Sequence, residues 1–325
     1  MPGGFGRNTF VGWDLETTWG TPVAAAKYAE LVSENVETLR TREPRQVIRS
    51  LHDAREANLY DKLFGVKGPF AIELNYGGLL RLFEHLFGDS SDAIVATEPG
   101  VRWTHLFTIQ NTIASGKGLS LHINRDVDNG STPQLRVAGY KINSAKFTLK
   151  PDQNAQVEFD GVGKDASLIA AVSPTLPGTS FYVAGHQLAV LFDTVARPVD
   201  SVEFTFDNGL DIEKRVVGSK NIAEPIRSDK QIAIEGTITM DAIQADWSKL
   251  DAGTLFRLDL NHTGPTLGGG TYQMNFAFLK CLVNGNPFVV KGAGVVKSVI
   301  PFRALLPVSG ERLSLTVVNA EATVA

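Results

Sequence analysis

Val66-Lys67-Gly68-Pro69-Phe70-Ala71-Ile72-Glu73-Leu74-Asn75-Tyr76-Gly77-Gly78, continued by Leu79 to Phe87 and closed by Gly88, sets a pattern that recurs along the chain. Phe70, Ile72, Leu74 and Tyr76 alternate with Ala71, Glu73 and Asn75. Side chains on a strand point alternately to two faces, so this stretch predicts a half-buried antiparallel strand. After Gly78 the period changes: Leu79, Leu82, Phe83 and Leu86 share one helical face, and Gly88 ends the helix.

The same alternation runs outward in both directions. Leu119, Leu121 and Ile123 form one set, Ala145, Phe147 and Leu149 another, and Val157 and Phe159 a third. Further on come Val202, Phe204 and Phe206, then Ile232, Ile234, Ile238 and Met240 with Gly236 between them, and finally Leu313, Leu315 and Val317. A first strand is expected at about 31–39. A second helix is expected over 244–250, with Asp241 as cap and Gly253 as stop.

This order suggests an internal repeat. Val66 to Glu73 aligns with Ile234 to Asp241 at an offset of 168, which also sets Leu79 against Trp247 and Leu82 against Leu250. Phe159-Asp160-Gly161-Val162-Gly163-Lys164 resembles Val290-Lys291-Gly292-Ala293-Gly294-Val295. Ser173-Pro174-Thr175-Leu176-Pro177-Gly178-Thr179 cannot continue a ladder and reads as a linker between two units. The expected organisation is an N-terminal arm over 1–30, a first β unit over 31–172, the linker 173–179 and a second β unit over 180–325.

Two long polar segments interrupt the strands. The first, 40–67, holds Arg40, Arg42, Arg45, Arg49 and Arg55, with apolar Leu59 and Tyr60 scattered through it. The second, 207–230, holds Lys214, Arg215, Lys220 and Arg227 among acids. Loops this long are functional or disordered, and isolated apolar side chains need a surface to cover them. Both segments are expected to dock on another subunit through charge-assisted contacts.

Composition narrows the function classes. Of 325 residues, 43% are hydrophobic and 20% charged, as in globular proteins. Residues 1–170 hold 18 Lys and Arg against 20 Asp and Glu, and residues 171–325 hold 13 against 15, so no basic half exists to grip nucleic acid. Cys281 is the single cysteine, so no internal disulfide forms. The start, Met1 to Gly6, lacks the order of a signal peptide, and no apolar run approaches the ~18 residues of a membrane helix.

No catalytic, cofactor or metal site is expected. The histidines show no HxxxH spacing, and no GxSxG elbow occurs. Ser115-Gly116-Lys117-Gly118 lacks the leading Gly and trailing Ser or Thr of a phosphate loop and reads as a hairpin turn. Gly268-Gly269-Gly270 is a turn, and Asn124 to Gly130 lacks the closing glutamate of a calcium loop.

The N-terminal stretch Phe10-Val11-Gly12-Trp13-Asp14-Leu15-Glu16-Thr17-Thr18-Trp19-Gly20-Thr21-Pro22-Val23-Ala24 resembles the opening of tail tube (major tail) proteins of long-tailed, siphovirus-like bacteriophages. Phe206-Asp207-Asn208-Gly209-Leu210 and Val317-Val318-Asn319-Ala320 are similar to further pieces of that family. The resemblance implies a mainly β fold: two tandem β-sandwich or curled-sheet domains, each with a short flanking helix. It implies a structural virion protein that assembles in the host cytoplasm into stacked rings and forms the conduit for DNA ejection. Two-domain members form trimers that imitate six-fold symmetry, and single-domain members form hexamers. Implied partners are other copies of the chain, the tape measure protein, the tail terminator, the distal tail proteins, and viral DNA in transit without specific binding. Membranes are not among them.

On this reading Trp13 and Trp19 would anchor an N-terminal arm in a neighbour. Glu73, Glu158 and Glu235, on polar strand faces, are candidates for an acidic lumen. The competing readings are a tail terminator, a secretion-system tube-like protein, or a β-sandwich binding module.

Overall fold

The computed structural model describes residues 9–44, 59–88, 92–110, 113, 115–125, 134–177, 181–228, 231–242, 252–285 and 297–323. Among these residues the fold is mainly β. In chain order the elements are β1 (Phe10–Leu15), β2 (Lys27–Glu34), β3 (Glu37–Pro44), β4 (Leu59–Lys67), β5 (Phe70–Glu73), α1 (Leu80–Phe87), β6 (Asp92–Glu98), β7 (Arg102–Thr108), β8 (Leu119–Asn124), β9 (Gln134–Leu149), β10 (Gln156–Gly163) and β11 (Asp165–Ile169). There follow β12 (Leu188–Phe192), β13 (Val195–Arg197), β14 (Ser201–Asp207), β15 (Ala233–Asp241), β16 (Phe256–Leu267), β17 (Gly270–Val283), β18 (Lys297–Ala304) and β19 (Ser314–Asn319). Every ladder between these strands is antiparallel.

The long strand β9, 16 residues, organises the molecule. Along one edge it pairs with β10 and, further on, β11. Along the other edge its first half pairs with β8 and its second half with β14. From β8 the ladder passes to β1, β2, β5 and β10, and so returns to β9: these strands close on themselves as a barrel. From β14 it passes to β15, β18 and β17. Strand β17 then carries β16, β12 and β13 on one side, and β19, β7 and β6 on the other.

Ladders therefore cross the expected linker twice, between β9 and β14 and between β7 and β19. The halves also share one core. Phe147 stacks on Phe204 at 4.6 Å, and Phe276 meets both edge-on at 5.1 and 5.3 Å. Helix α1 lays Leu82, Phe83 and Leu86 into the same cluster, and Phe87 stacks on Phe206 at 5.4 Å. Each fully buried Phe contributes about 1.5–3 kcal/mol.

Helix α1 ends as expected at Gly88, whose φ of 114° an L side chain rarely adopts. The helix expected over 244–250 lies outside the described residues, as do the Asn124 to Gly130 loop beyond Arg125 and the repeat segment from Val290 to Val295.

Three expectations need correction. The single strand at 31–39 is two, because the chain turns at Asn35 and Val36 to leave the β5 ladder for β4; Glu34 Oε2 accepts the Val36 N–H at 3.0 Å there. The segment 40–67 is not a plain loop: Glu37–Pro44 and Leu59–Lys67 pair as a two-stranded ribbon. The Ser115–Gly118 turn is no hairpin, since β7 and β8 on either side pair with other strands.

Candidate functional site

The run β5–β10–β9–β14–β15–β18 turns its aromatic and aliphatic face inward and leaves a polar face outward. Register decides what meets on that face. One transverse row reads Ala71, Glu158, Lys146, Thr205, Glu235, Arg303. The next reads Glu73, Gln156, Thr148, Glu203, Thr237, Pro301. Asp160, Ser144, Asp207 and Ala233 form a third. The three glutamates expected on polar strand faces thus share one sheet surface. With strands about 4.8 Å apart, Glu158 and Glu235 stand roughly 14 Å from each other.

Acids outnumber bases here. The bases are spoken for: Lys146 and Lys150 reach Glu203 at 3.6 and 4.0 Å, Arg303 reaches Glu235 at 3.4 Å, and Lys297 holds Asp200 and Asp241 at 2.8 and 2.7 Å. Glu73 Oε2 accepts from Asn154 Nδ2 at 2.9 Å. Burial raises the Asp160 carboxyl above the usual range and the Asp207 carboxylate adds to this, against the Gly161 N–H and Lys67. Sequence reading missed Asp160, Glu203 and Asp207; the alternation around Phe159, Phe204 and Phe206 carried the signal.

The ribbon β3–β4 forms a second feature. Arg40 and Arg42 lie on β3, and Leu59 and Tyr60 on β4, with Glu43 opposite Tyr60 and Pro44 opposite Leu59. Arg45, Arg49 and Arg55 lie outside the described residues. At its base the ribbon joins the second long segment. The Phe64 N–H donates to Lys220 O at 2.9 Å and the Ile222 N–H to Phe64 O at 3.1 Å. Arg215 Nη1 also donates to Phe64 O, at 3.2 Å. Arg40 and Lys220 each sit 5.9 Å from the Phe64 ring centroid. The two segments expected to dock separately therefore meet within one chain.

The rest of that segment is tied down. Lys214 is half-buried, and its carbonyl accepts the Ala223 N–H at 3.0 Å. Arg227 donates to Gln110 O and, at 3.0 Å, to Asn208 Oδ1; burial lowers its pKa. Lys141, a buried side chain, donates to Glu224 Oε1 at 2.6 Å, and the Gly116 N–H to the same oxygen at 2.7 Å. The Glu224 carboxylate thus ties the Ser115–Gly118 turn to Lys141 of β9.

Neither tryptophan is left over for a neighbour. Trp13, 1% exposed, lies on β1 between β2 and β8. Trp19 Nε1 donates to Gly139 O at 2.9 Å, and Lys164 Nζ sits 4.9 Å from its ring centroid. Between them Glu16, fully buried, accepts from the Gly139 N–H at 2.7 Å, Ser120 Oγ at 2.9 Å and the Gly20 N–H at 2.6 Å. The N-terminal segment from Phe10 onward is an integral strand and clamp.

Residues 6–304 match the model of the phage tail tube protein family. The chain belongs to that family. No curated protein matches it. Its role is structural, as a component of the virion tail that assembles into a tube. In this tail tube protein the quoted family-like pieces are internal fasteners. Glu16 ties the N-terminal segment to β9. Asn208 sits fully buried, with Nδ2 on Leu86 O at 2.9 Å and its N–H on Asn143 O at 2.8 Å, tying α1 to β9. Asn319, also buried, donates Nδ2 to Tyr76 O at 2.9 Å.

Among the described residues no group of three or more His, Cys, Asp or Glu is placed to hold a metal ion. Burial raises the Cys281 thiol far above its ordinary pKa, which suits an inert core residue. No described helix is long and apolar enough to cross a membrane.

Proposed function

We propose that this chain is the repeating, non-enzymatic subunit of a tube of stacked rings, three chains to a ring, through which viral DNA passes. The polar sheet face carries the reading. Glu73, Glu158 and Glu235, joined by Glu203 and Asp207, would line a lumen whose negative field repels phosphates and lets DNA slide. Each chain would supply two sheet units. In support, the offset of 168 sets Phe70 against Ile238, both buried, and Glu73 against Asp241, both on the polar face.

Arg40, Arg42, Leu59 and Tyr60 on the ribbon, with Arg45, Arg49 and Arg55 beyond it, would reach the next ring. Lys214, Arg215 and Lys220 would steady the ribbon base, and Arg227 would hold the loop from within. Rings assemble in the host cytoplasm around the tape measure protein, between distal tail proteins at one end and the terminator at the other.

Negative-stain imaging of concentrated protein tests the reading. Tubes with three-fold rings are expected; rings of six chains would remove the trimer, and the absence of tubes would remove the subunit role. Deleting Arg42 through Arg55 is expected to abolish stacking. Replacing Glu73, Glu158 and Glu235 by lysine is expected to leave tubes intact while hindering DNA ejection.

A further inference from the structure

A recess of about 370 Å³ opens at the end of the polar sheet face. Its lining includes Lys150, His186, Leu188, Arg197, Pro198 and Asp200. Three separate pieces of chain bring the bases there. Lys150 follows the last residue of β9 and continues the outward alternation of Lys146 and Thr148. Gly185 packs so closely on the Lys150 carbonyl oxygen that a Cβ would overlap it, and this sets His186 beside Lys150. Arg197 ends β13, opposite Val190 of β12.

These bases are less engaged than those on the rest of the face. Among the described residues the half-buried Arg197 side chain has no hydrogen bond or ion pair, and neither has the exposed His186. The Arg197 Nε is enclosed, which leaves the Nη groups to meet an anion. Lys150 reaches Glu203 only at 4.0 Å, beyond hydrogen-bond length. Asp200, the one acid of the lining, is held by Lys297 at 2.8 Å. A chain of formal net charge -4 thus keeps a recess with surplus positive charge. In a partly enclosed site such charge attracts anions more strongly than on open surface.

We infer that this recess seats a phosphate group, supplied as free phosphate or by the backbone of DNA; the second source rests on the tube reading above. A planar carboxylate is satisfied by the guanidinium fork alone, and the carboxylate present in the lining bonds elsewhere. A tetrahedral phosphate has further oxygens for Lys150 and the His186 ring. Along a face that otherwise repels phosphates, the seat would give passing DNA one resting point per chain.

Calorimetric titration of the full chain with inorganic phosphate, at constant ionic strength, tests the seat. A dissociation constant on the order of 1 mM is expected. Arg197→Ala and Lys150→Ala are each expected to weaken binding about tenfold with unchanged unfolding midpoints. Lys280→Ala, on β17 outside the recess, is expected to leave it unchanged. No binding by the wild-type chain, equal binding by the Arg197 and Lys150 variants, or acetate binding as tightly as phosphate would overturn the inference. A short labelled DNA duplex, followed by fluorescence anisotropy, separates the sources. Weaker duplex binding by Arg197→Ala assigns DNA, whereas unchanged duplex binding with phosphate binding lost assigns free phosphate. Phosphate binding by a chain that forms no tubes would overturn the tube reading and keep the seat; tubes whose chain binds no phosphate would do the reverse.

Discussion

The Phe10 to Pro22 segment and the β3–β4 ribbon look alike in sequence, as stretches outside the regular alternation, yet the molecule holds them in opposite ways. Strand β1 is paired along both edges, by β2 and β8, and is buried at Phe10, Val11 and Trp13. Among the described residues β3 is paired along one edge only, by β4, and β4 joins the rest of the chain at Val66 and Lys67, opposite β10, and at Phe64. A segment belongs to the fold when both its edges and its faces are satisfied internally. It is available for assembly when one edge is left over.

The largest effect should come from the inner segment. Trp13→Ala removes a buried indole, and is expected to cost about 3–5 kcal/mol in urea unfolding. A loss under ~1 kcal/mol would mean that β1 contributes no more than an exposed arm would, and the contrast would disappear.

Acid should act next, and mainly at the anchor of the second long segment. His85 of α1 is buried, with neither ring nitrogen partnered among the described residues. Burial, with the Lys141 ammonium adding to it, lowers its pKa from 6.5 to about 3. Burial also lowers His262, to about 4. A depressed histidine pKa means that the unfolded chain binds the proton first. Stability is therefore full above pH 6.5 and is lost as pH falls toward 3, by up to about 1.4 kcal/mol per unit for each imidazole. Urea titrations at pH 7 and pH 5 should show the fall, and His85→Leu should make it shallower.

Glu16→Gln sharpens the same comparison from inside the clamp. An amide has one acceptor oxygen, and its NH2 would face the Gly139 or Gly20 N–H. A loss of about 1–3 kcal/mol is expected in urea unfolding, without a change in tube formation.

How much of this was legible follows from how each part is satisfied. Helix α1 announced itself through Gly78, the spacing of Leu79, Leu82, Phe83 and Leu86, and Gly88. Strands with one wet face announced themselves by alternation, which is also how Glu73, Glu158 and Glu235 could be placed on polar faces. Strand β1 did not, because Phe10 to Trp13 are buried without a break and leave no period of two. Strands β3 and β4 did not, because Arg40, Thr41, Arg42 and Glu43 are polar on both faces. The rows that bring Glu158 and Glu235 together depend on pairings across the linker, and Phe64 meets Lys220 across more than 150 positions. Such long-range register is not written in any local pattern.

The smallest expected effect lies at the ribbon base. Phe64 is only half-buried, so Phe64→Ala loses two exposed cation–π contacts and modest packing, about 1 kcal/mol in all. Because the ribbon is joined to the barrel over a short stretch, that loss should be local. Amide exchange at residue 64 and Ile222, whose N–H groups bond across the junction, should quicken about fivefold, while exchange in β1 and β8 stays unchanged. Equal quickening in both places would mean that ribbon and barrel open as one unit. The ribbon could then not reach for a neighbouring ring without unfolding the barrel that carries it.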